Sequence, residues 1–351
     1  MATMKAGPIG GSEAWLGADM AKSTEWIRPV PPPALAEMDA ALDGLRRRGL
    51  NWPRFGRDDF PLPTFSHELS AVLEELEHGR GFVLLRGIPV GRYAPDELKN
   101  LYWGIGAHLG HARWQNARGE LIGEVRDENR LYGEVREPSM DPTLGRSSRN
   151  KARSAGPLRF HTDRCDVVSL LTVRKAKQGG LSKIVSAVSV SNEILKVRPD
   201  LHALLCQDYW RSRQGEESGG EKKVFPMPLF CLHEGKFTTQ YSRTFVEAAQ
   251  KLHDVPRMTA AQDEALDLHA EMCEALCFTM DMQPGDWQLL NNHVIYHGRA
   301  HYEDADGANQ DRLLFRLWLA TPNSRALPPS YFPIWGTTAP GVPRGGIAQP
   351  V

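Results

Sequence analysis

His161 and Asp163 stand two residues apart in the stretch FHTDRCDVVSLLTV (160–173), which runs into an apolar segment rich in β-branched residues. In an extended chain successive side chains alternate between faces, so His161 and Asp163 point the same way. A neutral imidazole and a carboxylate on one face supply two ligands to a divalent transition metal. A second histidine from elsewhere would complete a two-His-one-carboxylate triad with open positions for a co-substrate and O2, the arrangement of non-haem Fe(II) oxygenation. An H-x-D pair is common by chance, so other parts of the chain must strengthen this reading.

The segment PGDWQLLNNHVIYHGRAHYED carries His293, His297 and His301 at spacings of four. That spacing alone suggests a helical metal site, but Pro284-Gly285-Asp286 is a turn, WQLLN reads as a strand and Gly298 follows the middle histidine. At most one of the three is needed beside His161 and Asp163, which leaves the others as surface or supporting residues. Further on, RLLFRLWLA places Arg312, Leu314, Arg316 and Trp318 on one face of a strand and Leu313, Phe315, Leu317 and Leu319 on the other. The second face is a core face. Two arginines on an otherwise apolar strand are costly unless they meet anions or water, and a guanidinium pairs bidentately with a carboxylate. From this strand alone, an exposed polar face accounts for them equally well.

Several elements must position these residues. Leu35, Met38, Leu42 and Leu45 share one face, which predicts a helix over 34–48 stopped by Gly49. A second helix is expected from Ser66, as its N-cap, to Gly79, and a third from Pro95 to Leu109. GFVLLRGIPV (81–90), GELIGEVRD (119–127) and LSKIVSAV (181–188) read as strands, and a helix over 190–198 breaks at Pro199. A hairpin turns at His233-Glu234-Gly235, Thr259 and Gln262 form a capping box for a helix facing inward through Ala265, Leu268, Met272 and Leu276, and strands follow at 278–282, 287–291 and 312–320. The polar, Arg-rich stretch from Glu128 to Leu158 has no periodicity and leads directly to His161. We read it as an active-site lid, with a solvated charge run as the plainer alternative. Early helices and late strands argue for a helix-decorated β-sandwich or barrel over a βαβ fold.

The 351 residues suffice for one large domain or two modest ones, and a hydrophobic fraction of 41% fits a folded globular chain. With 42 basic and 43 acidic residues, no global field favours nucleic acid or an anionic membrane. Five cysteines without C-x-x-C spacing read as reduced thiols of a cytoplasmic protein. Neither a signal peptide nor a membrane span is expected, and a homo-oligomer stays open.

Taken together, GFVLLRGIPV and its following helix, FHTD, the Gly179-Gly180-x-Ser182 element, PGDWQLLNNHVIYHGR and DRLLFRLWL resemble the taurine dioxygenase-like (TauD/TfdA) branch of Fe(II)/2-oxoglutarate-dependent dioxygenases. The resemblance covers residues 65–320, flanked by an N-terminal extension (1–64) and a Pro-rich tail (321–351). It implies a mainly β domain with flanking helices, a double-stranded β-helix or jelly roll. By position it implies His161, Asp163 and His297 as iron ligands. Arg312 and Ser182 would hold the distal carboxylate of 2-oxoglutarate, and Arg316 would meet an acidic group of the substrate. Arg316 and Arg243 together favour a small anionic or zwitterionic substrate such as an amino acid, oxidised at a C–H bond by hydroxylation, desaturation or cyclisation with release of succinate and CO2. Two other classes compete: a Zn-dependent hydrolase or isomerase on a cupin-like barrel, and a non-catalytic jelly-roll binding module. The first has no evident use for an arginine that grips a dicarboxylate, and the second none for an intact ligand set.

Overall fold

A computed structural model describes residues 7–128, 153–214, 217, 221–306 and 310–347. In chain order, α1 (Gly17–Met20), β1 (Ile27–Pro29), α2 (Pro32–Arg48), α3 (Phe65–His78), β2 (Phe82–Arg86) and α4 (Pro95–Leu109) form the N-terminal part. Strands β3 (His111–Arg113), β4 (Ile122–Val125), β5 (Leu158–His161), β6 (Val167–Arg174), β7 (Gln178–Gly179) and β8 (Ser182–Ser186) lead to α5 (Ala187–Val197) and α6 (Pro199–Leu205). Two hairpins follow, β9 (Tyr209–Ser212) with β10 (Val224–Met227) and β11 (Phe230–His233) with β12 (Lys236–Thr239), and then α7 (Arg243–Ala249) and α8 (Ala260–Leu276). The chain ends through β13 (Phe278–Met280), β14 (Asp286–Asn291), β15 (Ile295–Arg299), β16 (Tyr302–Glu303), β17 (Leu313–Ala320) and α9 (Phe332–Trp335).

The major sheet has the order β1-β2-β14-β6-β17-β3, with β4 also on β17, and the minor sheet the order β13-β8-β15-β5. Period-two alternation sorts the major sheet's side chains into two cores. Phe82, Leu84, Val168, Leu290 and Trp318 face Ile184, Val185, Ile295 and Phe160 of the minor sheet. Val83, Leu85, Leu289, Phe315 and Leu317 face α2, α3 and α4 through Met38, Leu69 and Leu101. Two sheets enclosing one core, with helices laid on the outer face of the larger, form the expected jelly roll. Because both faces of β17 are covered, all eight of its residues are buried, and with Arg316 inside it and Arg312 just before it at 7% and 6% exposure, the exposed-face alternative for the two arginines is excluded.

Local chemistry explains most boundaries. Pro32 and Pro33 open α2 and Gly49, with φ 63°, closes it. At the start of α3 the expected N-cap, Ser66, lies inside the helix. The Glu37 carboxylate of α2 takes its place, accepting from the N–H groups of Thr64 and Phe65, both at 3.0 Å. Thr259 and Gln262 exchange the two capping-box bonds at 3.0 and 3.2 Å. Pro199 does more than end α5, because it is the first residue of α6. The α8 face is turned from expectation: Ala265 is buried as read, but Leu266, His269 and Cys273 join it while Leu268, Met272 and Leu276 are only partly covered. The lid expected between Glu128 and Leu158 falls mostly outside the described residues. No helix among the described residues is long and apolar enough to cross a membrane.

Candidate metal and co-substrate site

Antiparallel pairing of β5 with β15 sets His161 directly opposite His297, with ring centroids 4.2 Å apart. The register shifts between His297 and Arg299, and Gly298 permits the close approach: a Cβ there would stand 2.8 Å from the Leu158 carbonyl. Asp163 reaches between the rings. Its Oδ1 lies 3.8 Å from His161 Nε2 and its Oδ2 3.7 Å from His297 Nε2, too far for hydrogen bonds. Ligand atoms of the three residues all lie within 4.8 Å of one another, and no other such group occurs among the described residues.

The surroundings prepare these atoms. His161 Nδ1 lies 3.0 Å from the Arg159 carbonyl, so that nitrogen carries the proton and Nε2 presents its lone pair. Burial pushes the His161 imidazole below its ordinary pKa, and it pushes His297 down to about 3, assisted by neighbouring His161. Both rings are neutral at physiological pH, the state that ligates a metal. Burial alone would raise the pKa of Asp163. The Arg316 charge, the two imidazoles and a hydrogen bond from Trp318 outweigh that effect and hold it below the usual carboxylate value. A buried carboxylate between two imidazole lone pairs fits a divalent cation, and two His with one carboxylate match the facial triad of non-haem iron.

The two histidines of the triad open on a cavity that is also lined by Ser182, Arg299, Arg312 and Arg316 and by apolar Leu158, Leu170 and Leu314. Arg312 is 6% exposed, and its Nη1 has no hydrogen-bond partner. Burial, with Arg299 nearby, pushes this guanidinium down to about 10. Tyr302 lies under both arginines, 5.2 Å from Arg312 and 4.7 Å from Arg299. Behind it Gly180 is left-handed (φ +71°), and a Cβ there would crowd Arg312 Nε and Tyr302 at 3.3 Å. Ser182 Oγ donates to Gln288 Oε1 at 3.1 Å. Arg316 is held from outside the motifs: its Nε donates to Gln115 Oε1 at 2.6 Å, and Gln115 Nε2 donates back to the Arg316 carbonyl at 2.8 Å.

The structure brings together six of the seven site residues read from sequence. Arg243 is the correction. At the head of α7 it pairs with Glu247, Asp263 and Asp267 at 3.2, 2.9 and 2.6 Å, in a separate surface groove beside α8. Three carboxylates satisfy its charge where it stands. Of the other two histidines, His293 is buried and bonds Thr238 and Asp166, while His301 is exposed. Sequence reasoning missed Gln115, Gln288, Trp318 and Asn292, whose Oδ1 accepts the N–H of Asp163 at 3.0 Å. The amide groups carry no local signal, but Trp318 shares the face of Arg312 and Arg316, a pattern from which its role was readable.

The chain matches the family model for taurine catabolism dioxygenase TauD, TfdA family, over residues 45–318. It is 28% identical over 346 residues to FR-33289 synthase of Streptomyces rubellomurinus (strain ATCC 31215), covering 96% of this chain and 97% of the relative. It is 29% identical over 317 residues to the taurine hydroxylase-like protein SAT17 of Stachybotrys chartarum (strain CBS 109288 / IBT 7711), covering 89% and 80%. Among solved structures, asparagine oxygenase with Fe(II), 2S,3S-3-hydroxyasparagine and succinate is similar at a TM-score of 0.61 and 17% identity, covering 85% of this chain and 94% of that one. The non-haem iron oxygenase OrfP with Fe and alpha-ketoglutaric acid gives 0.57 and 16%, covering 90% and 98%. The structural likenesses carry the fold and the sequence match carries the family: this chain belongs to the TauD/TfdA dioxygenase family.

Proposed function

We propose that this dioxygenase uses Fe(II) and 2-oxoglutarate to oxidise a C–H bond of a small anionic or zwitterionic substrate, with an amino acid as the first class to test. The observation that carries the reading is the buried Arg312, with an unpartnered Nη1, in the same cavity as His161 and His297, the two histidines grouped with Asp163. Bound iron and 2-oxoglutarate supply the activation of O2 and the oxidising power, which no side chain here has.

The protein's own residues supply placement. His161, Asp163 and His297 hold the metal. Arg312 pairs the far carboxylate of the co-substrate, and Ser182, shifting its hydroxyl from Gln288, donates the second bond. Leu158, Leu170 and Leu314 line the space between with groups that neither donate nor accept protons, which keeps water from competing for the reacting centre. Arg316, fixed by Gln115 and close enough to Asp163 to act on its charge, takes an acidic group of the substrate. A carboxylate of an amino acid fits it, and the bound hydroxyasparagine of the asparagine oxygenase and the L-Arg derivatives bound by OrfP support that class.

Anaerobic titration of the purified protein with Fe(II) and then 2-oxoglutarate tests the proposal. A weak visible absorption band that needs both is expected, followed by succinate release with a subset of free amino acids. A folded, metal-loaded protein without the band would reject it in favour of the metal-dependent hydrolase or the binding-module reading.

A further inference from the structure

Residues after β17 lie beyond the 45–318 span of the family model, yet the last described ones pack against the loop that presents Asp163. Arg344 is 1% exposed and donates through Nε and Nη2 to Asp166 Oδ1 at 2.9 and 2.7 Å, while its Nη1 donates to the Ala339 carbonyl at 2.9 Å. The same carboxylate meets His293 Nε2 at 2.8 Å and accepts from the Thr321 N–H at 3.3 Å.

From Asp166 the connection reaches the metal ligand in two bonds. The Asn292 N–H donates to the Asp166 carbonyl at 2.9 Å, and Asn292 Oδ1 accepts the N–H of Asp163 at 3.0 Å. Asn292 Nδ2 donates to the Cys165 carbonyl at 3.0 Å. The Gly346 N–H binds the carbonyl of the intervening Arg164 at 2.6 Å. Gly345 and Gly346 are left-handed, and a Cβ on Gly345 would stand 2.5 Å from that carbonyl, so the tail lies as close as backbone allows. Trp335, under the Arg344 guanidinium at 5.5 Å and against the His293 ring at 5.0 Å, closes the far side.

A carboxylate ligand is only as well placed as the loop that carries it, and outer partners of metal ligands set affinity as well as orientation. We propose that residues 337–347 act as a strap, with Arg344 as its positioning residue, which holds the 163–166 loop so that Asp163 meets the metal. The proposal rests on the assignment of His161, Asp163 and His297 as metal ligands.

Cobalt(II) alone is the probe, titrated anaerobically into the full chain while its visible d–d spectrum is recorded. Three variants disturb the strap by different means. Arg344→Met removes the charge. Arg344→Met with Asp166→Asn also removes it but leaves no unpaired buried carboxylate. Gly345→Ala displaces the backbone without changing charge. Each is expected to weaken Co(II) binding by about tenfold or more and to alter the d–d spectrum, with Arg344→Lys recovering part of the affinity. Parental affinity and spectrum in any folded variant of the three would overturn the strap. Because no 2-oxoglutarate is present, the two readings fail separately. A parent that binds Co(II) but gives no band with Fe(II) and 2-oxoglutarate refutes the oxygenase reading, whereas unchanged variants refute the strap alone.

Discussion

The indole N–H of Trp318 donates to Oδ2 of Asp163 at 2.9 Å. That oxygen is also the one nearest His297, so the bond fixes the rotation of the carboxylate and directs Oδ1 toward His161. Arg312, just before β17, and Arg316 and Trp318 within it thus line up in sequence: the two arginines border the cavity and the indole holds Asp163. Trp318→Phe keeps the ring and deletes the donor. We expect metal affinity to fall by about tenfold or more, while 2-oxoglutarate affinity at saturating metal stays near the parental value. Calorimetric titration of each ligand separates the two, and unchanged metal affinity would mean that the Asn292 contact suffices.

Arg312→Met should raise the 2-oxoglutarate requirement by roughly 10- to 100-fold, the range expected when hydrogen bonds to a charged group worth about 1.5–3 kcal/mol are lost. Its effect on the ligand-free protein should run the other way. The guanidinium is buried with Nη1 unpartnered, so an apolar side chain of similar length removes a desolvation cost. A thermal midpoint that holds or rises in the absence of co-substrate, together with the raised requirement, would identify Arg312 as a residue kept for binding. A midpoint that falls sharply would make it structural.

What the sequence made legible was local. The alternation in RLLFRLWLA separates the core face from the functional face, and H-x-D in an extended segment puts two ligands on one side. Turn residues around His297 argued against a helical triple, and the strand there bears that out. What stayed hidden depends on pairing between distant segments. Gln115 and Arg316 are 201 positions apart, and Arg344 and Asp166 are 178 apart. Nothing in the neighbourhood of a glutamine or of a Pro-rich tail announces such a partner. Ser66 failed as a cap for the same reason: Glu37, from the preceding helix, outcompetes a local hydroxyl for the free N–H groups. Arg243 was misread because three acidic neighbours on α7 and α8 already balance its charge.

The Asp166 network should leave a signature in acid. Burial would raise this carboxyl, but the His293 hydrogen bond and the Arg344 charge together hold it below its ordinary value of 3.8. A carboxylate depressed in the folded state contributes stability that is fully present above its unfolded pKa and is lost as pH falls through the folded one. The stability gap between the parent and Asp166→Asn should therefore be constant from neutral pH down to about pH 5 and close only below about pH 4, given an unfolded aspartate near 3.9. Urea midpoints across that range measure it. A gap that closes already between pH 7 and 6 would point to histidine titration instead.

Arg316 and Arg243, grouped together by sequence, should separate completely in kinetics. Arg316→Met removes the cation that faces the cavity beside Asp163. Succinate formation should become uncoupled from substrate oxidation, and the KM for the amino acid identified by succinate release should rise more than that for 2-oxoglutarate. Gln115→Leu, which removes one hydrogen bond to the guanidinium without deleting it, should shift the same parameter by less. Arg243→Met breaks three ion pairs with partly exposed carboxylates, which are worth at most about 1 kcal/mol each. It should lower the thermal midpoint slightly and leave both KM values within about twofold, because surface pairs contribute stability without touching the cavity. If Arg243→Met instead raised the substrate KM as Arg316→Met does, substrate would have to reach the groove beside α8, and the cavity behind Arg312 would no longer define the whole site.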